Sequence, residues 1–145
     1  MNTLTIERNY HINKVGRKFV VTFELEGNVV ELRNLKFYEE MSEETNCFSA
    51  DVYFNGNFAG NARNDGRGAC ADVHCTLEMR QWACDALKDY KSYCFPSLKT
   101  SIYDVADQLA YYQLCVNDYK TIKGLKDWHT REVAHLEALK TKYAK

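Results

Sequence analysis

The sequence predicts a single α+β domain, in which an antiparallel sheet of two hairpins plus a short strand packs with about three helices. Two observations carry this expectation. Between residues 18 and 75 apolar side chains alternate with polar ones, the period of a half-buried strand; from Thr76 onward they recur at helical spacing. Strands followed by helices, not interleaved with them, are the pattern of an α+β domain. A chain of 145 residues suits one core, with 1–75 mainly β and 76–145 mainly α. One proline and seven glycines leave little material for a flexible linker.

From Lys18 to Leu25, Phe19, Val21, Phe23 and Leu25 alternate with Val20, Thr22 and Glu24, and the pattern resumes after Glu26-Gly27. A two-residue turn there sets Phe23 against Val30 and Val21 against Leu32 on one face, a first hairpin. In the second hairpin Phe48, Ala50, Val52 and Phe54 lead to an Asn55-Gly56 turn signal, and Phe58, Gly60 and Ala62 return. A three-residue loop that includes Asn57 keeps these faces matched, Phe54 meeting Phe58, Val52 meeting Gly60 and Ala50 meeting Ala62. The turn Asn64-Asp65-Gly66-Arg67-Gly68 follows, then Ala69, Ala71, Val73 and Cys75 alternate as a short strand. Residues 3–10 are a further candidate at the sheet edge.

Thr76 is placed to cap a helix running to about Tyr93, with Met79, Trp82, Ala83, Ala86, Leu87 and Tyr90 on one face, before Phe95-Pro96 stops it. Thr100 or Ser101 caps the next, whose stripe is Ile102, Val105, Ala106, Leu109, Tyr112 and Val116. A last helix carries Ile122, Leu125, His129, Val133, Leu136 and Tyr143. Its narrow stripe either packs on the sheet or pairs with another copy, so a homo-oligomer through this C-terminal helix is one expectation.

Hydrophobic residues at 46% and charged residues at 27% are the values of a folding chain, not of a disordered one. No apolar run approaches the roughly 18 residues of a membrane helix, so no membrane partner is expected. The segment Met1–Glu7 lacks the basic start and apolar stretch of a secretory signal, which points to the cytoplasm. Cys47, Cys70, Cys75, Cys84, Cys94 and Cys115 are then expected as reduced thiols. The net charge of −1 is unevenly spread: residues 39–75 hold two Lys/Arg against seven acids, and 118–145 seven against four. Such a dipolar surface lacks the strongly basic face of a nucleic-acid binder.

The acidic run Glu39-Glu40-Met41-Ser42-Glu43-Glu44-Thr45 has two readings. It is a solvated loop with Ser42 capping a turn, or it is a patch (Glu39, Glu40, Glu43 and Glu44, with Asp65 and Arg67) that meets a basic partner or imitates nucleic-acid charge. Residues Asn64, Asp65, Gly66, Arg67 and Gly68 form a structural turn or a nest of backbone N–H groups for a small anion; the Lys-Ser/Thr of a P-loop and the order of a dinucleotide loop are missing. Cys70, His74, Cys75 and Cys84 are soft ligands without a CxxC pair, and core or edge thiols are the expected identity, with no metal. No GxSxG, HExxH or Cys/His signature marks a catalytic residue, and no cofactor is implied. The acid-free stretch Arg8–Lys18 is a solvated connector or a contact for a phosphate backbone.

The strings Leu35-Lys36-Phe37, Ser42-Glu43-Glu44-Thr45-Asn46-Cys47-Phe48-Ser49-Ala50 and Asn64-Asp65-Gly66-Arg67-Gly68-Ala69-Cys70 resemble a recurrent pattern in uncharacterised small phage- and plasmid-borne proteins. There an SEET-type loop leads into a hairpin and an NDGRGG-type turn; this chain has Ala69 where a third glycine often stands. The resemblance covers about a quarter of the chain and implies a mobile-element origin, with no catalytic residue to carry over. Three functions follow as expectations. The first is a non-enzymatic accessory protein that binds a host protein, for instance as an inhibitor of a host or defence enzyme. The second is a protein that sequesters a small anionic ligand or nucleotide near Arg67. The third is a nucleic-acid binder using the basic stretch and the last helix, which the acidic middle opposes.

Overall fold

A computed structural model of the chain describes residues 3–7, 9–88, 90 and 99–117, together with positions 134, 137, 138, 141 and 142. Seven strands form one antiparallel sheet in chain order: β1 (Thr3–Glu7), β2 (Tyr10–Val15), β3 (Lys18–Leu25), β4 (Asn28–Phe37), β5 (Phe48–Phe54), β6 (Asn57–Asn64) and β7 (Asp72–Cys75). Each strand pairs with the next, a simple meander. Helices α1 (Leu77–Ala86) and α2 (Ile102–Asn117) follow, so the chain is α+β.

The sheet is wider than two hairpins and a strand. The basic stretch read as a connector is largely β2, whose Ile12 and Tyr10 are buried in the core while β1 occupies the edge. A single apolar residue between polar neighbours is too weak an alternation to announce this strand. The first hairpin turns at Glu26-Gly27 with Phe23 opposite Val30, as the pattern predicts. The second corrects the expected loop. Asn55-Gly56 alone makes the turn, with positive φ at both residues, and Phe54 pairs with Asn57. A bulge at Ala59 then absorbs one residue, so Val52 still meets Gly60 and Ala50 still meets Ala62. Ala59 is buried in consequence, and Phe58, expected inside, is 60% exposed.

One face of the sheet holds the core. Ile12, Val21, Phe23, Val30, Phe48 and Val52 meet Met79 and Leu87 of the α1 region and Val105, Leu109, Tyr112 and Val116 of α2. Aromatic contacts tie the layers: Tyr10 lies 5.5 Å from Tyr112, and Trp82 lies 5.1 Å from Phe54, both ring to ring. Thr76 caps α1 by accepting from the Met79 N–H at 3.3 Å, and the helix ends at Ala86, short of Tyr93. At the start of α2, Ser101 Oγ accepts from Asp104 N at 3.3 Å while Ser101 N donates to Asp104 Oδ2 at 2.9 Å, a reciprocal cap. The expected α2 stripe is buried apart from the half-buried Ile102, and so are Ala110, Tyr111, Leu114 and Cys115, which makes α2 a central element and not a one-sided one. The last helix, and with it the expected pairing of two copies, lies outside the described residues apart from the isolated positions named above.

The β3–β4 ladder is short, and α2 supplements it. The β3–β4 ladder runs from Leu25 opposite Asn28 to Thr22 opposite Glu31 and then stops. Beyond it the carboxamide of Gln113 takes the place of a strand: Nε2 donates to the Phe19 carbonyl at 2.7 Å and Oε1 accepts from the Val21 N–H at 2.9 Å. Asn117 Nδ2 adds a bond to the Phe19 carbonyl at 3.1 Å. Unpaired backbone groups in such a place are costly. Gln113→Leu is expected to lower the unfolding free energy by about 1–3 kcal/mol, read from urea denaturation with an unchanged slope.

Candidate functional site

The connection between β4 and β5 is a stapled loop. Tyr38 N donates to the Cys47 carbonyl at 2.9 Å across its neck. Ser42, 1% exposed, donates through Oγ to the Tyr38 carbonyl at 2.8 Å and accepts from Cys47 N at 2.8 Å. A short 3-10 turn at Glu39–Met41 completes it. With its two ends tied through one hydroxyl, the loop has little freedom to flex, and Glu39, Glu40, Glu43 and Glu44 stand out from it exposed.

The turn between β6 and β7 is locked into that loop. The Gly66 carbonyl accepts from three successive amides, Glu43 N at 3.0 Å, Glu44 N at 2.9 Å and Thr45 N at 3.3 Å. Gly66 is buried with φ +83°, and a Cβ there would collide with the Met41 carbonyl oxygen. Position 66 thus requires glycine twice over, for its backbone and for the close approach. Asn64 binds the assembly together. Its Oδ1 accepts from Thr45 Oγ1 at 2.9 Å and Gly66 N at 2.8 Å, and its Nδ2 donates to the Ala69 carbonyl at 2.9 Å and to Asp107 Oδ1 at 2.9 Å.

Asp107 anchors this platform on α2. Its second oxygen accepts from Ala71 N at 2.8 Å. Burial pushes the carboxyl up to about 6, and Asp104 pushes the same way against the two hydrogen bonds. The same fold places Cys70 Sγ 3.8 Å from Asp104 Oδ1.

The sequence-predicted residues therefore divide. Glu39, Glu40, Glu43, Glu44, Asp65 and Arg67 lie exposed on two connected segments, while Asn64 and Gly66 are buried parts of the frame beneath them. Gly68 is exposed, and its N–H donates to Thr45 Oγ1 at 3.3 Å. Glu40, Glu43 and Glu44 form no ion pair among the described residues. No protein-family model, curated protein or solved structure matches this chain. The chemistry of the site is therefore argued from its geometry.

An anion nest needs unused N–H groups, and here the amides of Gly66, Arg67 and Gly68 donate to Asn64 Oδ1, Asp65 Oδ1 and Thr45 Oγ1. The same three bonds make the turn a rigid mount. Three thiols are pushed toward the protonated form: burial raises Cys47, with Asp65 adding to it, and burial raises Cys70, with Asp104 and Asp107 adding. Burial also raises Cys75, against the pull of Arg80. Among the described residues Cys47, Cys70, Cys75, Cys84 and Cys115 are free, and no three His, Cys, Asp or Glu side chains converge as a metal site would require. His74 is exposed on β7, and Cys75 and Cys84 lie close enough to interact, but Cys70, His74, Cys75 and Cys84 do not form a metal-holding group of three or more among the described residues.

Sequence reasoning missed Thr45 and Asp107. Thr45 looks like one polar loop residue among many. Asp107 carried one faint signal, an acid between Ala106 and Gln108 on a helix with nine buried residues. Asn46 was also passed over; it is 5% exposed, and its side-chain amide makes no hydrogen bond among the described residues.

Gly66→Ala is expected to lower stability by more than about 3 kcal/mol, since the collision adds to the backbone strain. Gly56→Ala, at φ +82° with open space around the new methyl, is expected to lose only about 1–2 kcal/mol. Thermal denaturation of the two variants side by side checks the contrast; equal losses would mean that the Gly66 contact is not what locks the loop.

Proposed function

We propose that this protein is a non-enzymatic binding protein whose acidic platform engages a positively charged surface of a partner protein. The observation that carries the proposal is the contrast between the carboxylates and their support. Glu40, Glu43 and Glu44 project, without an ion-pair partner among the described residues, from a loop that Ser42, Asn64 and Gly66 hold rigid. Exposed carboxylates on a floppy loop would gain little from a cation, because ordering the loop would offset the attraction. On a pre-ordered loop that ordering is already done, and complementary charge then sets specificity and association rate. The exposed side chains of Asp65 and Arg67 border the same platform.

The resemblance to phage- and plasmid-borne proteins extends the proposal: the partner is a factor of the host cell, met in its cytoplasm, and inhibition of a host or defence enzyme is the natural outcome of capping a basic surface. The raised thiols favour binding over covalent catalysis. Small-anion sequestration is disfavoured by the occupied amides of the turn, and among the described residues no geometry favours nucleic acid.

Immobilised protein is to be mixed with host lysate and the captured proteins identified by mass spectrometry, comparing the wild type with Glu43→Lys/Glu44→Lys. The expected result is a defined partner that binds the wild type, is displaced by salt and is lost with the double variant. The variant's midpoint of thermal unfolding should move little, because exposed charges contribute about 0–1 kcal/mol each. Capture that is unchanged by the double substitution would remove the acidic platform as the binding surface.

A further inference from the structure

Three neighbouring strands put two cations on either side of a hydroxyl. In the β4–β5 pairing Lys36 stands opposite Ser49, and in the β5–β6 pairing Ser49 stands opposite Arg63. Cross-strand partners share a face. Ser49 lies between the buried Phe48 and Ala50, so all three belong to the face of the sheet turned away from the helices. Lys36 and Arg63 are exposed there, and Ser49 is half-buried between them. The Tyr38 hydroxyl joins the row, 3.4 Å from Ser49 Oγ. When one of these two hydroxyls donates to the other, the second keeps its own proton for a further acceptor.

Two neighbouring charges on this face are engaged elsewhere. Arg33 holds Glu31 at 3.2 Å and lies 3.9 Å above the Tyr53 ring. Asp51 accepts from Asn34 Nδ2 at 2.7 Å. Lys36 and Arg63, by contrast, form no ion pair among the described residues, although Asp72 stands opposite Arg63 on β7.

We propose that Lys36, Ser49 and Arg63, with the Tyr38 hydroxyl, bind the phosphoryl group of a phosphate monoester. Strands two apart lie about 10 Å from each other, a span that the two long side chains can close over an anion seated at Ser49. Arg63 supplies a planar fork of donors and Lys36 a compact charge. Donors that come from three strands suit the three free oxygens of a phosphoryl dianion better than the two oxygens of a carboxylate. The site uses side chains alone, so the occupied amides of the β6–β7 turn do not bear on it. Glu39 and Glu40 follow Tyr38 on the acidic loop, and Asp72 borders Arg63. Their charge opposes an anion and keeps the site weak, with a Kd on the order of 1 mM.

This site is independent of the partner reading of the acidic platform, and the full chain tests it directly. Inorganic phosphate is titrated at constant ionic strength, balanced with sodium chloride, and followed by backbone amide NMR shifts. Saturable shifts centred on Lys36, Ser49 and Arg63 are expected. Glycerol 3-phosphate should bind as well, because the monoester presents the same oxygens. Lys36→Ala and Arg63→Ala should each weaken binding about tenfold. Lys88→Ala, the same loss of charge at an exposed position just past α1, should leave it unchanged. Shifts that do not saturate, that chloride alone reproduces, or that survive the double variant Lys36→Ala/Arg63→Ala overturn the site. Binding of inorganic phosphate without glycerol 3-phosphate overturns its assignment to monoesters.

Discussion

The carboxamide of Asn64 makes four hydrogen bonds, two accepted and two donated, which is all that such a group can make. Through them one side chain joins the β5 approach loop, the β6–β7 turn and helix α2. A buried amide left half-satisfied would cost about 1–3 kcal/mol, so these partners hold one another in place. Thr45 orients the loop, Gly66 closes on it, and Asp107 fixes both to the helical layer. The acidic residues are displayed by this network without belonging to it. Their positions follow from polar contacts beneath them, and Glu40, Glu43 and Glu44 form no ion pair among the described residues.

A second carboxamide does comparable work at the other end of α2. Where β3 and β4 separate, Gln113 supplies the donor and acceptor that a strand would have supplied. Helix α2 thus has two duties besides filling the core with Val105, Leu109 and Tyr112. It anchors the platform through Asp107 and mends the sheet through Gln113, six residues apart on one helix. This explains why polar side chains persist on an element buried on several sides. Asp107 and Gln113 each answer backbone or amide groups that would otherwise lie unpaired away from water.

Much of the fold was legible locally. The alternation in Phe48–Phe54, the Glu26-Gly27 and Asn55-Gly56 turns, and the Thr76 and Ser101 caps are short-range signals, and each is found where the pattern places it. The strand Tyr10–Val15 was hidden because Ile12 is flanked by polar residues that face the outer side of the sheet. The three-residue loop was a sound inference from matched faces, yet a bulge at Ala59 restores the same register after a two-residue turn. Matching faces constrain the sum of loop and bulge residues, not how they are divided. The acidic residues of the platform were visible as a run of charge, but their separation into display and frame was not.

The sequence by itself determined the class of the domain, most of its strands and the capped starts of two helices, because hydrophobic period and turn chemistry act over a few residues. Only the tertiary structure decided that Asn64 and Asp107, 43 positions apart, would share a hydrogen bond, and that Gln113 would pair with Phe19, 94 positions away. A polar residue in a sequence announces its donors and acceptors but not who will meet them. Those meetings depend on where the packed core brings the chain back upon itself, and the apolar contacts that set this path carry no local mark of the polar bonds they permit.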